Sequence, residues 1–201
     1  TPIIELNVVD ETVTFRFDSE LPAGDYSLNI KFSGTLNDRL RGFYRSRYID
    51  PNGTEKFMAT TQFEATDARK AFPCWDEPES KSVFAVSINL PKELTAISNM
   101  PEDQILDLDN GMKRVTFADT PLMSTYLLGF TIAEMECLQK TTKHGTLMRV
   151  WTTKGKGNQG NWALESSTQL LDFFNDYFGI PYPLPKLDHL AIPDFAAGAM
   201  E

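Results

Sequence analysis

Gln62 and Glu64 stand two positions apart in a strand-like stretch, with Asp67 and Arg69 just beyond. On an extended chain, residues two apart share a face. A neutral amide beside a carboxylate on one face could hold an ammonium group, while Phe63 points the other way. Glu and Gln are also among the side chains most often left in water. The same pair therefore also reads as solvent-facing residues near an arginine. A compact, proline-bounded segment follows, Ala71-Phe72-Pro73-Cys74-Trp75-Asp76-Glu77-Pro78. Cys74 has no neighbouring His to lower its pKa, so it reads as a packing residue and not a nucleophile.

Other chemistries lack their parts. The histidines are His144 and His189, with no H-E-x-x-H and no paired cysteines, so no zinc site is expected inside this chain. A Ser-His-Asp set has neither its nucleophile elbow nor its base. Gly155-Lys156-Gly157 lacks the length and the Ser/Thr of a phosphate loop and reads as a linker. Asn52-Gly53-Thr54 spells a glycosylation acceptor, but a tight turn explains it sufficiently.

The bulk composition narrows the class. The chain has 201 residues, with 19 Lys+Arg against 28 Asp+Glu, for a net charge of −9. That acidity argues against nucleic-acid binding, because no basic stripe is present to displace counterions. Hydrophobic residues make up 41%, enough for a substantial core and unlike a disordered tail. No apolar run is long enough to be a transmembrane segment. Two cysteines cannot form a disulfide framework, which favours a reducing compartment. Thr1-Pro2-Ile3-Ile4 reads as cut into a strand pattern, and residues 194–201 bring no helix or polar tail. Both ends suggest a piece of something longer.

Residues 1–150 are mostly strand-like. Val13, Phe15 and Phe17 alternate with polar residues, as do Tyr26, Leu28, Ile30 and Phe32, and Phe84, Val86, Ile88 and Leu90. Period two predicts half-buried antiparallel strands. Asn52-Gly53 and Asn110-Gly111 predict hairpins joining residues 43–50 to 56–61 and 104–108 to 112–117. Residues 126–132 and 147–151 complete the set, and a sandwich or saddle-like sheet pair is expected. Residues 154–160 read as a linker. Asn161–Phe178 reads as a helix with a stripe of Leu164, Leu171 and Phe178, widened by Leu170, Phe174 and Tyr177. Asn161 is placed to cap it and Gly179 to stop it. Residues 187–192 read as a strand opening an α/β unit.

Two blocks, TQFEATDARKAFPCWDEP at residues 61–78 and Gly198-Ala199-Met200-Glu201, together resemble the gluzincin zinc aminopeptidases. The resemblance is nearest to the cytosolic puromycin-sensitive and fungal members of these aminopeptidase N-like enzymes. Gly42-Phe43-Tyr44, Ser124-Thr125-Tyr126 and Tyr182-Pro183-Leu184-Pro185-Lys186 fit in the same order. The resemblance implies a mainly β fold. Residues 1–153 would be a saddle-shaped N-terminal β domain lacking its first strands, with 154–160 as linker. Residues 161–201 would be the first helix and strand of a thermolysin-like α/β catalytic domain, cut within the exopeptidase motif.

By the same resemblance, Glu64 and Glu201 would bind the substrate's α-ammonium and Gln62 would line that pocket. The backbone of Gly198, Ala199 and Met200 would run beside the peptide. Two carboxylates on one ammonium favour peptides with a free N-terminus. The Zn²⁺ of the intact protein, its ligands and its catalytic base would lie beyond Glu201, so no catalytic residue and no metal are expected in this chain, which should be inactive alone. Its partners would be such peptides and the remaining portions of the same polypeptide, in the cytoplasm. Two other readings stay open: a non-catalytic binding or scaffolding module of the same fold, and a bifunctional aminopeptidase/epoxide hydrolase. Ala199, where a second glycine would be expected, leans against the latter.

Overall fold

The computed structural model describes residues 2–198 and Met200. Alternating residues become strands where a second layer covers their apolar face. β1 (Ile3–Asn7) and β2 (Thr12–Arg16) form a separate antiparallel hairpin. β3 (Gly42–Ile49) and β4 (Glu55–Gln62) pair with Gly42 opposite Gln62, Tyr44 opposite Thr60 and Ser46 opposite Met58. Their turn is closed by Asp50, whose Oδ1 accepts the N–H groups of Asn52 and Thr54 at 2.9 and 2.8 Å.

β5 (Ser87–Pro91), β6 (Thr95–Ser98), β7 (Glu102–Asp107), β8 (Met112–Phe117) and β9 (Phe130–Ala133) follow. They complete a four-stranded sheet, β3-β4-β9-β6, and a three-stranded sheet, β5-β8-β7. Leu90, Ala96, Val115 and Phe117 are buried together, with Ile88 and Ile132 packed against them. These residues come from both sheets, so this core is the contact between two layers. Full burial of each of the larger side chains, Leu90, Val115 and Phe117, contributes about 1.5–3 kcal/mol.

β10 (Met135–Thr141), β11 (Leu147–Thr153), α1 (Asn161–Phe178) and β12 (Lys186–Leu190) form the last unit. β10 pairs antiparallel with β11, and β11 pairs parallel with β12. Parallel neighbours need a crossover, and α1 supplies it. The helix lays Leu164, Ala163 and Leu171 on Met148, Val150, Leu138 and Leu187. Gly160 permits that approach, because a Cβ there would meet Val150 Cγ1 at 2.8 Å. The sheet therefore joins residues on both sides of 154–160.

The mainly antiparallel β architecture and the helix bounds match the sequence reading. Several details differ. Residues 26–32 form no strand, and Tyr26, Leu28, Ile30 and Phe32 are exposed: alternation predicts a face to bury, not a partner to bury it. Only Ser87–Pro91 of the expected 84–90 strand is regular, although Phe84 and Val86 still accept backbone bonds from Thr120 and Phe117. Residues 125–127 form a 3₁₀ turn before β9. Gly160, not Asn161, takes the helix N-cap position, and the Asn161 amide donates back to Asn158. Gly179 does end α1, in the left-handed region at φ +65°. Of the expected stripe, Leu164 is buried and Leu171 packs on the sheet, while Leu170, Phe174, Tyr177 and Phe178 are exposed. Two strands, β6 and β10, were not anticipated as such; neither has a strong apolar alternation in the sequence. Among the described residues, no helix is long and apolar enough to cross a membrane.

Candidate functional site

The strand β4 buries every second side chain towards its end, Met58, Thr60 and Gln62. Directly opposed residues of an antiparallel pair share a face. That face therefore also carries Gly42, Tyr44, Ser46 and Tyr48, all buried, from β3. Thr60 is fixed there by a 2.7 Å hydroxyl contact with Thr131 of β9. Gln62 is 7% exposed, and its Oε1 has no hydrogen-bond partner among the described residues. A buried carbonyl oxygen without a donor is costly, about 1–3 kcal/mol, unless a ligand supplies one.

Glu64 lies two residues further on, past the end of β4, on an exposed turn. The strand includes Gln62 but ends before Glu64, so the two do not share a strand face as expected. The Glu64–Ala65 peptide bond is cis. The turn closes with Asp67 N–H donating to Phe63 O at 2.8 Å. Phe63 is buried on the opposite side, edge-on to Phe72 and Phe130. Asp76 holds the following segment: its Oδ2 accepts Arg69 N–H at 3.1 Å and Arg69 Nε–H at 3.0 Å. Thr125 Oγ1 donates to Trp75 O at 3.0 Å and Ser124 Oγ to Pro78 O at 2.5 Å. The block at 61–78 is thus a turn and a loop clamped on β4 and β9. Cys74 packs inside it, and burial pushes its thiol up to about 11, which leaves it unreactive.

Gly42 explains part of this geometry. It takes φ +69°, and a Cβ there would lie 2.8 Å from Lys70 Cβ. Only glycine lets the start of β3 pass so close under the 68–70 turn.

The second element of the site arrives through β12. Lys186 and Asp188 share a face of that strand and are buried with Arg149 of β11. Asp188 accepts Arg149 Nε–H at 2.5 Å, a second Arg149 N–H at 2.8 Å and the Trp151 indole N–H at 3.1 Å. Lys186 pairs with Asp188 and donates to Ser98 O of β6 at 2.7 Å. Burial alone would raise the Asp188 carboxyl; Arg149 and Lys186 outweigh it and hold Asp188 below the usual carboxylate range. This cluster bolts the β12 sheet to the four-stranded sheet.

Beyond β12 the chain crosses onto the Gln62 face of the β3–β4 hairpin. Ile192 packs against Tyr48, Met58 and Ala133. Asp194 N–H donates to Ser46 Oγ at 2.8 Å, and the Tyr44 hydroxyl donates to Asp194 O at 2.9 Å. Burial, then the nearby Asp194 carboxylate, pushes the Tyr44 phenol up to about 12, so it stays a donor. Gly198 is exposed and Met200 half-buried; Ala199 and Glu201 lie outside the described residues. The structure thus lays residues 192–194 on the sheet face that also carries Gln62. Sequence reasoning missed Asp194, Tyr44, Ser46 and the Arg149–Lys186–Asp188 cluster. Opposite charges at Lys186 and Asp188, two apart on a strand, were the available signal.

The residues present do not fit a zinc centre. Among the described residues no three His, Cys, Asp or Glu side chains gather as a ligand set. His144 is instead hydrogen-bonded to Asp176 of α1 at 3.1 Å.

Comparison with known proteins bears on the same two segments. The Peptidase M1 N-terminal domain model matches residues 3–127, and the Peptidase family M1 domain model matches residues 162–201. Aminopeptidase M1-B of Oryza sativa subsp. japonica is 51% identical over 193 residues, covering 96% of this chain and 22% of that protein. Puromycin-sensitive aminopeptidase of Caenorhabditis elegans is 48% identical, covering 94% of this chain and 20% of that protein. Aminopeptidase N of Acetobacter pasteurianus is 43% identical, covering 95% of this chain and 54% of that protein. The chain spans about a fifth of the length of the Oryza sativa and Caenorhabditis elegans relatives and about half that of the Acetobacter pasteurianus one. One model takes in the clamped block at 61–78, the other the helix, β12 and the segment reaching Gly198, and on these matches the chain belongs to peptidase family M1.

Proposed function

We propose that this chain is the substrate-recognition portion of a zinc aminopeptidase that removes N-terminal amino acids from peptides. Gln62 and Glu64 would take the substrate's α-ammonium together with Glu201. The backbone at Gly198, Ala199 and Met200 would lie along the peptide as a strand does. Residues 1–153 would act as the N-terminal β region and 161–201 as the opening of the catalytic region. The zinc that this family resemblance implies would be held by residues outside these 201, and the chain alone would be inactive. A cytoplasmic location belongs to the same proposal; two free cysteines, Cys74 and Cys137, are compatible with it.

One observation carries this reading. Gln62 offers a buried carbonyl oxygen, unpartnered among the described residues, on the face over which residues 192–194 are docked. An ammonium is the donor-only group that such an acceptor and a nearby carboxylate suit.

The test is Glu64→Gln in the intact enzyme, on one peptide with a free and with an acetylated N-terminus. Removing one charged acceptor should cost about 2–4 kcal/mol of binding, roughly thirty- to nearly a thousandfold in kcat/KM, on the free peptide only. An equal loss on both peptides would mean that Glu64 supports structure and not the ammonium.

A further inference from the structure

The strand β3 is an edge strand, with β4 on one side only. Its outward N–H groups at Arg45 and Arg47 need acceptors. Asn37 O takes the first at 2.7 Å, and Asp194 Oδ2 takes the second at 2.8 Å. Asp194 therefore uses three groups on β3: its N–H on Ser46, its carbonyl on Tyr44 and its carboxylate on Arg47. Tyr44 and Ser46 are both 0% exposed, so the bonds they make to the Asp194 backbone are partly sheltered from water, while the bond to Arg47 lies at the surface.

The contacts also have an order. Ile192 packs on the cluster that Tyr48 forms with Met58 and Ala133, and Asp194 bonds to Ser46 and Tyr44. The segment thus advances along β3 towards Gly42, the residue paired with Gln62. From Ser46 back to Gly42 is four residues, roughly 13 Å of strand. From Asp194 on to Gly198 is also four residues, and the chain bends at 196–198, so their reach is at most about that distance.

We propose that Asp194 is a positioning residue for substrate recognition: clamped on β3, it sets where Gly198 and Met200 lie relative to Gln62. This rests on the aminopeptidase reading above. Asp194 touches no substrate. It acts by making the N-terminal sheet, and not the intervening loop, the frame on which the backbone that receives the peptide is hung. A misplacement of about 1 Å at such a position can cost a hundredfold.

The experiment uses the intact enzyme with Asp194→Ala, Asp194→Asn and Tyr44→Phe. kcat and KM are measured on free and acetylated forms of one peptide, beside the thermal midpoint. Asp194→Ala should raise KM for the free peptide at least about tenfold with kcat changed less than about threefold. Asp194→Asn keeps a carbonyl for Arg47 N–H and should fall within about threefold of wild type. In the 201-residue chain, Asp194→Ala should speed exchange of the Arg47 amide. If Asp194→Ala does not fold, Tyr44→Phe, which removes one bond, is read in its place, with a KM rise of roughly three- to tenfold expected. An unchanged KM, or equal loss in the Asn and Ala variants, overturns the role of Asp194. A wild type that treats free and acetylated peptides alike overturns the aminopeptidase reading instead.

Discussion

Tyr44 donates its phenolic hydrogen to the backbone carbonyl of Asp194, 150 positions away, at 2.9 Å. Tyr44 holds its proton more tightly in the folded chain than a free tyrosine does, with its pKa pushed to about 12 by burial and by Asp194. A raised folded pKa contributes stability that is full below about pH 10 and lost as pH rises through about 12. Burial also raises Tyr48 and Tyr182, so ultraviolet titration should show several tyrosines ionising late, and Tyr44→Phe should remove the step near pH 12. The same variant should cost about 1–3 kcal/mol in urea unfolding, because Asp194 O is left without its donor. A titration unchanged by Tyr44→Phe would refute this.

Acid should act through Asp188. Its carboxyl binds a proton more weakly when folded, so the unfolded chain takes up protons first as pH falls. The stabilisation is present above about pH 4 and disappears as pH drops through the folded value. Asp188→Asn leaves Lys186 buried without its counter-charge and Arg149 with only Glu102 at 3.6 Å, and should cost about 3–5 kcal/mol at neutral pH. Its stability should also fall less steeply between pH 5 and pH 3 than that of wild type, by roughly the linkage of one carboxylate. Parallel acid limbs for the two proteins would place the pH dependence elsewhere.

Two glycines with the same sign of φ should respond differently to alanine. Gly53, at φ +81°, has nothing within 4 Å of a built Cβ. Gly53→Ala should cost about 1–2 kcal/mol, the left-handed penalty alone. Gly42 adds a 2.8 Å approach to Lys70 Cβ, so Gly42→Ala must also displace the 68–70 turn. It should lower the thermal midpoint more than Gly53→Ala does. Equal shifts would show that the turn yields freely.

How much could be read beforehand depended on the range of the interaction. The helix ends were legible because Gly179 and the 3.6-residue period are local signals. The β3–β4 hairpin was legible because Asp50, Asn52 and Gly53 close it within a few residues. Residues 26–32 misled, since their alternation is that of a paired strand and no strand pairs with them among the described residues. For the site, Gln62 fell on the expected face, but Glu64 did not stay on the strand. Lys186 entered the sequence reading only as the end of a motif, and nothing there marked it as buried. Its burial depends on Asp188, Arg149 and Ser98, and the last two lie in other strands. Asp194 gave no local sign at all, because its partners stand 147 to 150 positions earlier.

That separation has a consequence for synthesis. Tyr44, Ser46 and Arg47 leave the ribosome long before Asp194 does. At about 5–20 residues per second, the interval is roughly 8–30 s. Hairpins close in microseconds, so β3 and β4 can zip long before their last ligand is made. During that time the phenol of Tyr44 and the outer amide of Arg47 must be served by water or by a passing chaperone. The growing chain therefore carries an open polar seam that only its own much later portion closes. Nascent chains stalled before and after residue 194 should differ in protease cutting near residues 44–47, with the shorter chain cut faster.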